Sequence, residues 1–236
     1  SETIYCMKNI VTICSCVLLL IACKNDKTPQ DTTNTLDQKF EVYAQYFIDD
    51  LWKNNPESAT YAGFHDYDSI LTIPDALSRE KTLAFTASHL DTLAKYDVAQ
   101  LTPSNRIDYE LIKNTLESAS WSIKTLKSDE WNPSNYNVSG LIAFMLNERY
   151  APLEERLKTI QQRLQYVPHY YEAAKSNINN PVPELTNLAI RQNEGGLYVL
   201  TNTLKDSIKA SNLSASEKAV FVTQTDSAIV VIEDFV

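Results

Sequence analysis

Cysteine is absent after position 23. All four, Cys6, Cys14, Cys16 and Cys23, fall at or before that point. The rest of the chain therefore has no disulfide, no thiol nucleophile and no cysteine metal site. Glycine is nearly as scarce, with only Gly63, Gly140, Gly195 and Gly196. A β-rich or α/β protein of this size needs more turn and phosphate-loop glycines, and neither a G-x-G-x-x-G nor a P-loop pattern occurs. Basic residues are outnumbered, 21 Lys and Arg against 30 Asp and Glu, for a net charge of −9. Nucleic-acid binding, which relies on basic patches, is excluded as a working reading. There are three histidines, His65, His89 and His169, and no H-E-x-x-H pairs them. No G-x-S-x-G nucleophile motif and no repeat of 20 to 50 residues appears. What remains is an all-α fold, a multi-helix array with one sizeable core.

What is present begins with a leader. From Met7 the chain reads MKNIVTICSCVLLLIACK, with a basic start at Lys8 and an apolar run of about 13 residues that ends in Leu20-Ile21-Ala22-Cys23. That run is short against the roughly 20 residues of a membrane span. Residues 7–22 read as a bacterial secretory signal closed by a lipobox, and the Cys23 thiol as the acceptor of the lipid. Residues 1–6 are set aside as an upstream extension. Cleavage removes one acid, Glu2, and one base, Lys8, so the net charge stays at −9. Residues 23–38, the lipidated cysteine and a polar stretch rich in Thr, Asn and Asp, read as a flexible tether to a helical domain over 39–236. Lys24 stands where an aspartate can signal inner-membrane retention. The expected address is thus the outer membrane, with the membrane as partner through the lipid on Cys23 and the domain facing the periplasm or the cell exterior.

Apolar spacing lays out the helices. Phe40, Tyr43, Phe47 and Leu51 mark one from about Leu36 to Lys53, broken by Asn54-Asn55-Pro56. A short turn, Glu57 to Ala62, leads to Gly63 and an irregular loop, Phe64 to Pro74. The next helix spans about Ser78 to Tyr96 with Leu83, Ala87, Leu90 and Ala94 inward. Thr102-Pro103 is an N-cap followed by proline at the first helical position. Helices follow over Gly140 to Asn147, after Pro152 and near Pro168, with Glu154 and Lys158 as an i,i+4 pair. The longest runs from about Val182 to Ala210, interrupted at Gly195-Gly196, where close packing or a kink is expected. Ser214-Ala215-Ser216-Glu217 is a capping box. Its helix reaches Val236 without a stop signal, so the chain reads as continuing past that point.

The one dense polar cluster is His65-Asp66-Tyr67-Asp68. Carboxylates beside an imidazole can bind metal or move protons; they also serve turns and caps. His89 and His169 read as structural. Arg106, Asp108, Tyr109 and Glu110 read as first-turn capping and surface pairing. Tyr61, Tyr67, Tyr136, Tyr150, Tyr170 and Tyr171 could line a groove, although tyrosines on helix faces more often pack half-buried.

The run Asn55-Pro56-Glu57-Ser58-Ala59-Thr60-Tyr61-Ala62-Gly63-Phe64-His65-Asp66-Tyr67-Asp68 resembles the opening signature of the bacterial domain-of-unknown-function family 885. Asn105 to Ile112, Arg156-Leu157 with Arg163-Leu164, Pro168, and Asn177 to Pro183 resemble its later blocks, in order, from Phe40 to Val236. The resemblance implies an all-helical protein more than twice this length, similar to a zinc metallopeptidase of the carboxypeptidase type. Its H-E-x-x-x-G-H-H-like zinc motif would lie beyond Val236. It therefore implies no catalytic and no metal-binding residue in this chain, zinc and a peptide substrate only in a longer protein, and inactivity of this chain alone. By analogy with helical peptidases, His65, Asp66, Tyr67 and Asp68 would face a substrate cleft. The rival expectation is a complete lipid-anchored helical binding module without enzymatic activity.

Overall fold

Asn55 and Pro56 divide the first two helices of the computed structural model, which describes residues 35–236. The signal, lipobox and most of the tether lie outside the described residues. Helix α1 (Leu36–Asn54) buries Phe40, Tyr43 and Phe47 on one face, as their 3-4 spacing requires. Pro56 starts the short α2 (Pro56–Tyr61), where its missing N–H costs nothing. Gly63 then adopts φ +87°, open space around it, and turns the chain into the loop.

Helix α3 (Ala76–Leu93) is capped by Asp75, which accepts from the Ser78 N–H at 2.8 Å. Its inward stripe is not the expected one. Ala87 and Ala94 are exposed, and Thr86, His89 and Leu93 are buried instead. Two alanines gain little by burial, whereas His89 finds hydrogen-bonding partners on α1. Helix α4 (Pro103–Trp121) follows. Thr102 stands at its N-cap position, but its side chain does not cap the helix. Its N–H and hydroxyl both donate to Asp37 Oδ1, tying α4 to the start of α1. Together α1, α3 and α4 enclose one apolar cluster around Phe40, Leu93, Leu101 and Leu116.

Past α4 the helical ladder widens into a π turn over Ser122–Leu126, closed by the Lys127 N–H on Ser122 O at 2.8 Å with Lys127 left-handed, φ 49°. A one-turn helix α5 (Ser128–Trp131) and a 3₁₀ turn lead into α6 (Ser139–Asn147). Helices α7 (Leu153–Leu164), α8 (Val167–Asn177), α9 (Pro183–Tyr198), α10 (Lys205–Ala210) and α11 (Ala215–Phe235) complete the fold. The larger core lies among them, built on Met145, Leu157, Ile160, Tyr171, Leu200 and Phe221. Among the described residues every regular element is helical and no strand occurs. None of these helices is long and apolar enough to cross a membrane.

Three local details fix how these helices meet. Arg156 on α7 caps the end of α6, donating to Met145 O and Leu146 O at 2.7 Å each. Glu154 does not pair with Lys158. Its Oε1 accepts from the N–H and the side-chain amide of Asn212, at 3.0 and 3.1 Å, because that backbone donor lies within reach. Gly195 and Gly196 both lie inside regular α9. The ladder departs from α-geometry only from Val199 to Leu204, a second π turn that joins α9 to α10. A Cβ on Gly196 would stand 2.1 Å from Ser139 Oγ, so α6 and α9 touch there at backbone distance.

Candidate functional site: a polar knot and the cleft beside it

The loop after α2 brings two members of the His65–Asp68 cluster into contact and leaves the other two out of it. His65 and Asp68 are brought together, Nδ1 to Oδ2 at 3.0 Å, with the Asp68 side chain 4% exposed. Asp66 is exposed and Tyr67 half-buried. The separation follows from a turn in which the Asp68 N–H donates to His65 O at 3.2 Å, bringing positions i and i+3 to one side.

Asp68 is held from three directions. Thr60, fully buried in α2, donates its hydroxyl to Asp68 Oδ1 at 2.6 Å. Arg163 on α7 donates Nε–H to the Asp68 carbonyl, and its Nη2 lies 3.5 Å from Thr60 Oγ1. Tyr150 lies flat against the His65 ring, 3.5 Å between centroids and 5° from parallel. Burial, and the adjacent Asp68 carboxylate, push the Tyr150 hydroxyl above its ordinary range.

The other half of the site is a cleft of about 260 Å³ bounded by α2, the loop before α3, α6, α7 and α8. Leu71, Leu141, Ile142 and Val167 supply apolar wall, and Glu57 and Arg163 supply charge. Glu57 is fixed by Thr72, whose N–H and hydroxyl donate to its two carboxylate oxygens at 2.7 and 2.9 Å. Arg163 is 3% exposed. Burial pulls its guanidinium below the usual range, and the charges of Glu57 and Asp68 oppose that pull. Tyr170 also borders the cleft, its hydroxyl raised by burial.

Glu57, Thr60 and Arg163 were not picked out as a site from sequence, and Tyr150 only as one of six tyrosines that could line a groove. One signal was there. Arg156 and Arg163 stand seven residues apart on the helix face that carries Leu157, Ile160 and Leu164, and both are buried. An arginine within a core stripe must find partners in the interior. His89 is also buried, but apart from this site. Its Nε2 is 3.0 Å from Asp50 Oδ2 and its Nδ1 is 3.2 Å from the Tyr43 hydroxyl, joining α3 to α1. His169 stays at the surface beside Glu172. Of the tyrosines named above, Tyr136 and Tyr171 are buried. Tyr171 donates to Asn193 Oδ1 at 2.7 Å.

A zinc ion does not fit the knot. A catalytic zinc needs three protein ligands around one open position, and here the His65 and Asp68 atoms supply two that already face each other. Among the described residues no group of three or more His, Cys, Asp or Glu side chains is disposed to hold a metal.

A family model described as "Bacterial protein of unknown function (DUF885)" matches residues 56–235. The chain is also similar to the solved structure of a "putative lipoprotein of unknown function" from Shewanella oneidensis, at 42% identity and a TM-score of 0.81. The match covers 83% of this chain and 36% of that one, so this chain spans about a third of its length. No curated protein matches the chain.

Proposed function

The chain belongs to the family of bacterial proteins of unknown function DUF885, and we propose that it forms the non-catalytic, cleft-bearing region of a lipid-anchored, zinc-dependent, carboxypeptidase-like protein. The observation that carries this reading is the cleft itself. An apolar recess with a few placed charges is the usual form of a small-molecule or peptide-end site, and here the charges are Glu57 and Arg163. The knot of Thr60, His65, Asp68 and Tyr150 is the rigid support behind it. In this reading His65 and Asp68 hold Arg163 and its neighbours in place and take no part in chemistry.

The lipoprotein description of the Shewanella relative supports an anchor at Cys23, which the lipobox supplies. The protein then sits in the cell envelope, at the outer membrane. Zinc and the base that would activate water belong, in this proposal, to a part of the longer protein outside residues 1–236. Such a centre would supply Lewis-acid chemistry for peptide hydrolysis.

The test is a zinc and activity assay on the purified chain beside a longer homologous protein. The expected result is peptide hydrolysis and stoichiometric zinc in the longer protein and neither in this chain. Turnover or tight zinc in this chain would overturn the non-catalytic assignment. Absence of both from the longer protein would favour the binding-module reading.

A further inference from the structure

The charges in the cleft are unusually placed. Arg163 is buried, yet its hydrogen bonds go to a carbonyl and a hydroxyl, and among the described residues no carboxylate oxygen comes within ion-pair distance of it. Two of its five N–H donors are used. Glu57 lines the same recess and feels the Arg163 charge without touching it. Its two bonds to Thr72 leave carboxylate lone pairs free. A buried charge without a matched partner is costly; buried Arg163 is held in that state, and half-buried Glu57 brings the opposite charge to the same space.

A ligand with a single charge would match one of these groups and leave the other exposed to an apolar wall. A zwitterion whose charges are one carbon apart would match both. The wall opposite is aliphatic: Leu71, Leu141, Ile142 and Val167. The volume, about 260 Å³, lies just below the roughly 300–1,000 Å³ of drug-sized pockets, which suits one small molecule rather than an extended chain. Arg163 is also pre-organised, since its Nε–H is fixed on the Asp68 carbonyl and Asp68 is fixed by Thr60. A guanidinium that is already immobile loses less freedom on binding.

We propose that this cleft binds a free α-amino acid with an aliphatic side chain, its carboxylate on Arg163 and its ammonium group on Glu57. The site needs only the described residues, so it stands or falls apart from the peptidase reading.

Isothermal titration calorimetry on the purified chain tests it, with L-leucine, N-acetyl-L-leucine and L-leucinamide as probes. The expected result is measurable binding of leucine, with each blocked analogue weaker by roughly tenfold or more, because each loses a charge-assisted contact. Glu57→Gln keeps an acceptor for Thr72 and removes the negative charge. It should abolish the preference for leucine over N-acetyl-leucine and leave the preference over leucinamide, with circular dichroism confirming the fold. No heat from leucine at millimolar concentration, or equal binding of all three probes to the unmodified chain, overturns the proposal.

Discussion

The imidazole of His65 stacks on the phenol ring of Tyr150, 3.5 Å between centroids, and points its Nδ1 at Asp68 Oδ2, 3.0 Å away. One ring thus links the loop after α2 to the segment before α7. Replacing Tyr150 by alanine removes the stacked surface and should cost about 2–3 kcal/mol of stability. Tyr150→Phe keeps the ring and should cost about 1 kcal/mol or less. Urea midpoints of the two variants separate these cases. An equal loss in both would move the weight from the ring to the hydroxyl beside Asp68.

The chain Asp50–His89–Tyr43 joins α1 to α3, with His89 and Tyr43 buried and Asp50 partly exposed. His89→Ala should lower stability by about 2–3 kcal/mol, through the cavity it leaves and the loss of its two side-chain hydrogen bonds, the Tyr43 hydroxyl keeping its bond to the backbone carbonyl of residue 89. Tyr43→Phe removes one hydroxyl and should cost about 1 kcal/mol. Denaturant unfolding followed by far-ultraviolet circular dichroism measures both.

Adjacent glycines should respond with opposite signs. A Cβ on Gly195 meets nothing within 4 Å. Gly195→Ala should therefore stabilise by up to about 1 kcal/mol, through helix propensity. A Cβ on Gly196 would lie 2.1 Å from Ser139 Oγ and 2.8 Å from its Cβ. Gly196→Ala must separate α6 from α9 and should destabilise by about 1–3 kcal/mol despite the same propensity gain. Thermal midpoints of the two variants suffice to check this.

Acid and alkali should each destabilise the fold for identifiable reasons. Asp37, Asp75 and Glu154 lie below the ordinary carboxylate range mainly because the backbone N–H groups of Thr102, Ser78 and Asn212 donate to them; for Glu217 the Ser214 side chain is the main cause. A depressed folded pKa gives stability that is present above the unfolded value, about 4, and is lost as pH falls through the folded one. Burial raises Tyr43, Tyr150 and Tyr171. Their contribution is present below about pH 10 and is lost as pH rises above it. A thermal midpoint that declines below about pH 4, and tyrosinate absorbance that appears together with unfolding above about pH 10, are the expected results.

Much of the helical layout could be read from sequence because its signals are local. Pro56, Pro103, the Ser214–Glu217 capping box and the spacing of Phe40, Tyr43 and Phe47 each mark an element by nearby chemistry. The buried face of α3 was misjudged because its alanines imitate a core stripe while a histidine occupies the real one. The cleft was harder still. Glu57 and Arg163 are 106 positions apart in the chain, and only the tertiary fold, in which the Arg163 side chain on α7 reaches Thr60 on α2, places them around one space. The cluster at His65–Asp68 drew attention to the right loop, yet Asp66 is exposed and only His65 and Asp68 of its four residues meet.

The π turn between Val199 and Leu204 behaves like a one-residue insertion that the helix has absorbed. Each helical residue advances about 100° around the axis. Removing one residue from this stretch would restore an uninterrupted α-ladder and rotate everything after it by that angle. Leu204 and Ile208, now 0% and 1% exposed, would swing out of the core while the segment carrying Gly196 stayed seated on Ser139. The widened turn therefore keeps two halves of one helix in phase with two different neighbours, and its length, more than its side chains, is what cannot be changed.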